Sequence, residues 1–104
     1  MKYDRAGAVA VLEGDGCVVA APGGRVALGP GASGALATNG TGSVLAGLVG
    51  TFLARGMDPF AAAAAAVLAR SDAGDLAATR VGAGHTVAGD VIQALPEALA
   101  PRRD

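Results

Sequence analysis

Aromatic side chains are nearly absent from this 104-residue chain: it has no Trp, and Phe and Tyr make up only 3% of it. A core must therefore be built from Ala, Val and Leu, which bury enough surface only when backbones pack closely, as helices on a sheet do. The single Cys17 excludes an internal disulfide. The opening Met-Lys-Tyr-Asp-Arg is not followed by the apolar stretch of a signal peptide, so the expected compartment is the reducing cytoplasm. Neither sign of charge dominates, with eight Lys and Arg against nine Asp and Glu. No basic cluster precedes Arg102 and Arg103, which argues against nucleic acid or an anionic membrane as partner. Long apolar runs are missing as well. The stretches 44–54 and 60–69 are separated by Gly56 to Pro59, and each falls short of the ~20 residues that cross a bilayer.

What the chain has in quantity is small residues and turn signals. Ala8 to Leu12 is a short apolar run between Gly7 and Gly14-Asp15-Gly16 and reads as a strand. Cys17 to Ala21 reads as the next strand. Pro22-Gly23-Gly24 marks a turn, and Arg25 to Leu28 returns as the other arm of a hairpin. From Gly29 to Gly42 glycines recur too often for a regular element, so a loop is expected. Val44, Leu45, Leu48, Val49, Phe52 and Leu53 then repeat at helical spacing, and Arg55-Gly56 supplies a stop. Asp58-Pro59 has the form of a cap followed by a first helical residue. The six alanines Ala61 to Ala66 favour a helix that neighbours can approach on nearly any side, with Gly74 a weak point further on. After the break at Gly82-Ala83-Gly84, Thr86 is a candidate cap for a third helix lined by Val87, Val91, Ile92 and Leu95, and Pro96 is expected to start a separate last turn.

One segment carries chemistry: Ala37-Thr38-Asn39-Gly40-Thr41-Gly42-Ser43, the end of the glycine-rich loop. Glycines let backbone N–H groups converge, and a helix beginning there adds unpaired amides and a positive dipole end, which together suit a phosphate. No Lys follows the glycines as in a Walker loop, and their spacing is not that of the dinucleotide fingerprint.

The run L-A-T-N-G-T-G-S-V-L-A-G-L-V-G-T-F-L-A-R-G-M-D-P-F-A-A-A resembles the nucleotide-binding segment of the ribokinase-like superfamily, and within it the C-terminal part of the ADP- or ATP-dependent NAD(P)H-hydrate dehydratases. The likeness extends upstream through V-L-E-G-D-G-C-V-V-A-A-P-G-G-R-V and downstream through A-G-D-L-A-A and D-V-I-Q-A-L-P-E-A-L, covering nearly the whole chain. It implies an α/β fold in which three short strands are followed by three helices, with residues 1–104 forming a single partial domain that corresponds to about the last third of the family fold. It further implies ADP or ATP as cofactor, with Mg2+ admitted beside it, and hydrated NAD(P)H as substrate. Asn39, Gly40, Thr41 and Gly42 would contact the nucleotide. A partial domain leaves a sheet edge and apolar helix faces uncovered, which points to a homo-oligomer or a complementing chain.

In that family the nucleotide phosphorylates the hydroxyl of the hydrated nicotinamide ring, and elimination of phosphate restores NAD(P)H. An Asp after the glycines takes the hydroxyl proton. Here Ser43 occupies that catalytic position, and a serine hydroxyl does not accept a proton near neutral pH. Glu13 stands where the family commonly has Lys, so a charge that repels phosphate replaces one that attracts it. Both departures weaken the same reaction. Two alternatives stay open: a ribokinase-like kinase acting on a small alcohol, and a non-catalytic, truncated domain that binds nucleotide or acts in assembly.

Other polar residues have plainer readings. Asp15 fits a turn, and Asp72 with Asp75 fits a solvated helix face better than an acid–base pair. His85 lacks a partner at metal-ligand spacing, and Cys17 reads as a small buried hydrophobe. Asn39 could orient the loop or touch ligand.

Overall fold

A computed structural model of the chain describes residues 8–13, 16–30, 41–82 and 86–100. Three strands, β1 (Ala10–Glu13), β2 (Gly16–Ala20) and β3 (Val26–Pro30), form one antiparallel sheet in the order β1-β2-β3. Glu13 pairs across from Cys17, and Gly16 from Pro30. Between β2 and β3 the chain reverses at Pro22-Gly23-Gly24, where the Ala21 N–H donates to the Arg25 carbonyl at 2.9 Å. Gly23 and Gly24 have φ of +89° and +92°, values that favour glycine. The expected three strands are present. β3 runs on through Gly29 and Pro30, which the sequence assigned to the loop. It does so because β2 still offers Cys17 and Gly16 as partners, and proline is tolerated at the end of an edge strand.

The first helix, α1, spans Thr41–Ala54, so its start takes in Thr41 as well as Gly42. Its end is a glycine stop: the Met57 N–H donates to the Phe52 carbonyl and the Gly56 N–H to the Leu53 carbonyl, with Gly56 at φ +87°. The second helix, α2, spans Pro59–Val81. Asp58 caps it, its carboxylate accepting from the Ala61 N–H at 3.1 Å, and Pro59 occupies the first turn, as expected. Gly74 is buried within α2 and does not break it.

The third helix, α3, spans Ala88–Leu99 and corrects two expectations. Val87, not Thr86, is the cap residue. The Thr86 hydroxyl instead turns back and donates to the Gly82 carbonyl, while Asp90 does the capping by accepting from the Val87 N–H at 2.9 Å. Pro96 lies inside α3 rather than opening a separate turn. The carbonyl one turn earlier loses its usual donor, but Pro96 and Ile92 are both exposed there, so water can serve it.

Packing centres on α2, which touches β2, β3 and both other helices, whereas α1 and α3 meet each other over a smaller area. Ala62, Ala63, Ala66, Ala69, Ala73 and Ala77 are all buried along it. Alanine is what permits neighbours on several sides, because each approaching element meets only a methyl group. Close approach is also seen from the sheet: a Cβ on Gly29 would lie 3.0 Å from Val67 Cγ1. Not all apolar surface is covered. Leu28 on β3 is 80% exposed, and Val26 and Leu68 are exposed beside it. Among the described residues, no helix is long and apolar enough to cross a membrane.

Candidate functional site

Of the residues singled out for nucleotide contact, Thr41 and Gly42 open α1 and Ser43 follows in the same turn. Asn39 and Gly40 lie outside the described residues. The first amides of a helix have no intrahelical acceptor and sit at its positive end, and α1 has no acidic residue in its first turn to occupy them. A Cβ built on Gly42 meets no neighbouring atom within 4 Å. Among the described residues, nothing packs against that position, and Gly42 is exposed. Ser43 is exposed. The arrangement offers main-chain donors and a hydroxyl, with no carboxylate in that turn to take a proton.

A groove leads away from the same turn. Ser43, Val44, Leu48 and Thr51 of α1 face Ile92 and Leu95 of α3 across a space of about 380 Å³, within the ~300–1,000 Å³ typical of small-molecule pockets. Both helices pack on α2 and touch each other over a smaller area. Among the described residues the groove's side-chain lining is apolar apart from two hydroxyls, and that of Thr51 donates to the Gly47 carbonyl at 2.9 Å. Sequence reasoning missed this groove. Its periodicity signal put Val44 and Leu48 on a buried face, where they are found, and nothing in the spacing shows where α3 comes to lie beside them.

Glu13 corrects an expectation about charge. Its Oε1 lies 2.5 Å from Nη2 of Arg70, a residue 1% exposed on α2. The carboxylate is thus matched by a buried cation and does not act as a free repelling charge. Arg70 was also missed, although a signal existed: at spacings of three and four it falls on the same stripe as Ala63, Ala66, Ala73 and Ala77, all buried. Cys17, opposite Glu13 in the ladder, is buried as expected. Burial pushes its thiol above its ordinary pKa of 9.0; Arg70 opposes this and Glu13 adds to it.

The remaining polar candidates do not converge on the head of α1. Asp72 and Asp75 are exposed on α2, lining a shallow surface with Glu97, which is itself paired with Arg80. Among the described residues, no group of three or more His, Cys, Asp or Glu side chains could hold a metal ion. Asp15 and His85 lie outside the described residues.

A three-stranded antiparallel sheet followed by three helices, the first of them opening at a glycine-bearing turn, is a portion of a ribokinase-like α/β protein. The family model described as NAD(P)H-hydrate dehydratase matches residues 2–97, and the chain belongs to that family. No curated protein and no solved structure matches it.

Proposed function

We propose that this chain binds ADP or ATP through the head of α1 and that, as it stands, it does not carry the family's dehydration of hydrated NAD(P)H to completion. The observation that carries this reading is Ser43, exposed beside an exposed Gly42 in a first turn that has no acidic side chain. The phosphates take the free amides of Thr41, Gly42 and Ser43, with Asn39 and Gly40 completing the cradle. Any Mg2+ arrives on the nucleotide's own phosphate oxygens. The base of the nucleotide lies along the groove between α1 and α3, which begins at Ser43.

When bound, the nucleotide supplies the phosphoryl group that turns a ring hydroxyl into a leaving group. The protein's part is to stabilise charge on that group and to take the hydroxyl proton. Main-chain amides suffice for the first task. A neutral serine hydroxyl does not serve for the second, because it has no basic form near pH 7. Repair of hydrated NADH, assayed with ATP and with ADP, should be absent in the natural chain and appear in Ser43→Asp. Turnover by the natural chain would overturn the assignment of Ser43 as the defect.

A second reading, compatible with the first, is favoured by the exposure of Leu28, Val26 and Leu68: the chain works as a homo-oligomer or beside a complementing chain that covers this apolar surface. Sedimentation of a well-behaved monomer up to high concentration would count against it.

A further inference from the structure

We propose that the Glu13–Arg70 pair fixes the register of β1 on β2, a choice that the rest of the hairpin leaves open. β1 offers apolar side chains to both faces of the sheet: Val11 packs against the core on the helix side, while Leu12 is 46% exposed on the other. β2 is apolar on both faces as well, with Cys17 and Val19 buried in the core and Val18 half-buried on the outer side. A one-residue slip sends every side chain of a strand to the opposite face, and it is strongly opposed only where apolar and polar residues alternate. Here the slip would exchange Val9 and Val11 for Ala10 and Leu12 on the helix side, apolar for apolar. The connection does not oppose it either. Glu13 lies across from Cys17, so Gly14 to Gly16 separate the paired ends. Gly14-Asp15 is equally a sequence for a two-residue hairpin loop, and that loop would set Glu13 across from Gly16 and Leu12 across from Cys17.

Glu13 is the exception to this indifference, the one charged residue in β1 and β2. In the observed register its Oε1 lies 2.5 Å from Nη2 of Arg70, which is 1% exposed in the middle of α2. The slip would turn Glu13 to the outer face and take its carboxylate away from a guanidinium held in the packed helix layer. Separating a buried charge from its partner is strongly unfavourable, so a buried ion pair that one register alone permits selects that register. The pair thus contributes uniqueness more than stability. Apolar or neutral replacement of both partners keeps the free energy of folding near its natural value and releases the constraint on β1.

Nuclear magnetic resonance of the isotope-labelled full chain reads the register through the cross-strand contacts of Val18, which lies opposite Leu12 as observed and opposite Val11 after the slip. In the natural chain the Leu12 contact should stand alone. In the double variant Glu13→Gln with Arg70→Met both contacts should appear, the slipped register holding about a tenth of the molecules or more, while the midpoint of urea unfolding stays near the natural one. A double variant that folds with Leu12 alone opposite Val18 would overturn the proposal. Should the double variant unfold, Glu13→Gln by itself decides: a Val11 contact supports the lock, and a lone Leu12 contact overturns it. Unfolding of both variants would overturn it as well, because the pair would then hold the fold together rather than choose between registers.

Discussion

Replacing Glu13 by Gln removes a carboxylate held 2.5 Å from Arg70 while keeping its size and its ability to accept a hydrogen bond. Arg70 is 1% exposed and sits on the stripe that packs α2 into the core, so it has no route to water without disturbing that packing. Removing one partner of a buried ion pair costs about 3–5 kcal/mol. Glu13, however, keeps 35% of its side chain in solvent, which screens part of the attraction, and Gln retains a neutral contact. A loss of about 2 kcal/mol is the reasonable figure, equivalent to roughly 10 °C in Tm for a domain of this size. Glu13→Lys, which puts back the residue that the family resemblance places here, should be worse, because it sets a second cation against Arg70. Coupling Glu13→Gln to Arg70→Met should recover much of the loss, since apolar replacement of a buried pair is close to neutral. Urea unfolding followed by circular dichroism measures all three, provided the slope with urea stays constant. A Glu13→Gln variant within ~0.5 kcal/mol of the natural chain would refute the reasoning.

Other consequences follow from the same packing. Gly29→Ala should destabilise by about 1–3 kcal/mol, because its methyl would sit 3.0 Å from Val67, a buried branched side chain; a neutral result in thermal unfolding would show that Val67 or β3 can give way. Asp58→Ala should cost about 1 kcal/mol through loss of the cap on α2, and its exposed ion pair with Arg25 at 3.6 Å adds little. Stability should also fall at alkaline pH through Cys17, whose thiol is held above its ordinary 9.0 by burial. Well below pH 9.0 the thiol is protonated in both states and contributes no slope; as pH rises through 9.0 the unfolded thiol ionises first and stabilises the unfolded chain. Cys17→Val should remove that part of the decline, and parallel pH profiles for the two proteins would contradict it.

How far the sequence could be read depended on whether the deciding interaction was local. Gly23 and Gly24 mark the hairpin because the turn itself needs positive φ. Gly56 and Asp58-Pro59 mark helix ends for equally local reasons, hydrogen bonds that span a few residues. Thr86 misled because it has the right side chain for a cap, yet its hydroxyl found the Gly82 carbonyl, and Asp90 served from inside the helix instead. Pro96 misled because an exposed carbonyl in front of it tolerates the lost bond. The pairing of Glu13 with Arg70 and the groove between α1 and α3 depend on how separate elements meet over α2, which no spacing within one element encodes. The start of α1 beside Gly42 and Ser43 was legible from the motif, since the head of a helix is itself a local structure.

Titration of the isotope-labelled chain with ADP, read at the backbone amides, tests the central claim most directly. The amides of Thr41, Gly42 and Ser43 should shift and saturate at about 1 mM nucleotide or below, while the exposed end of α2 at Thr79 and Arg80 stays still. Saturating shifts elsewhere, with those three amides unmoved, would contradict it.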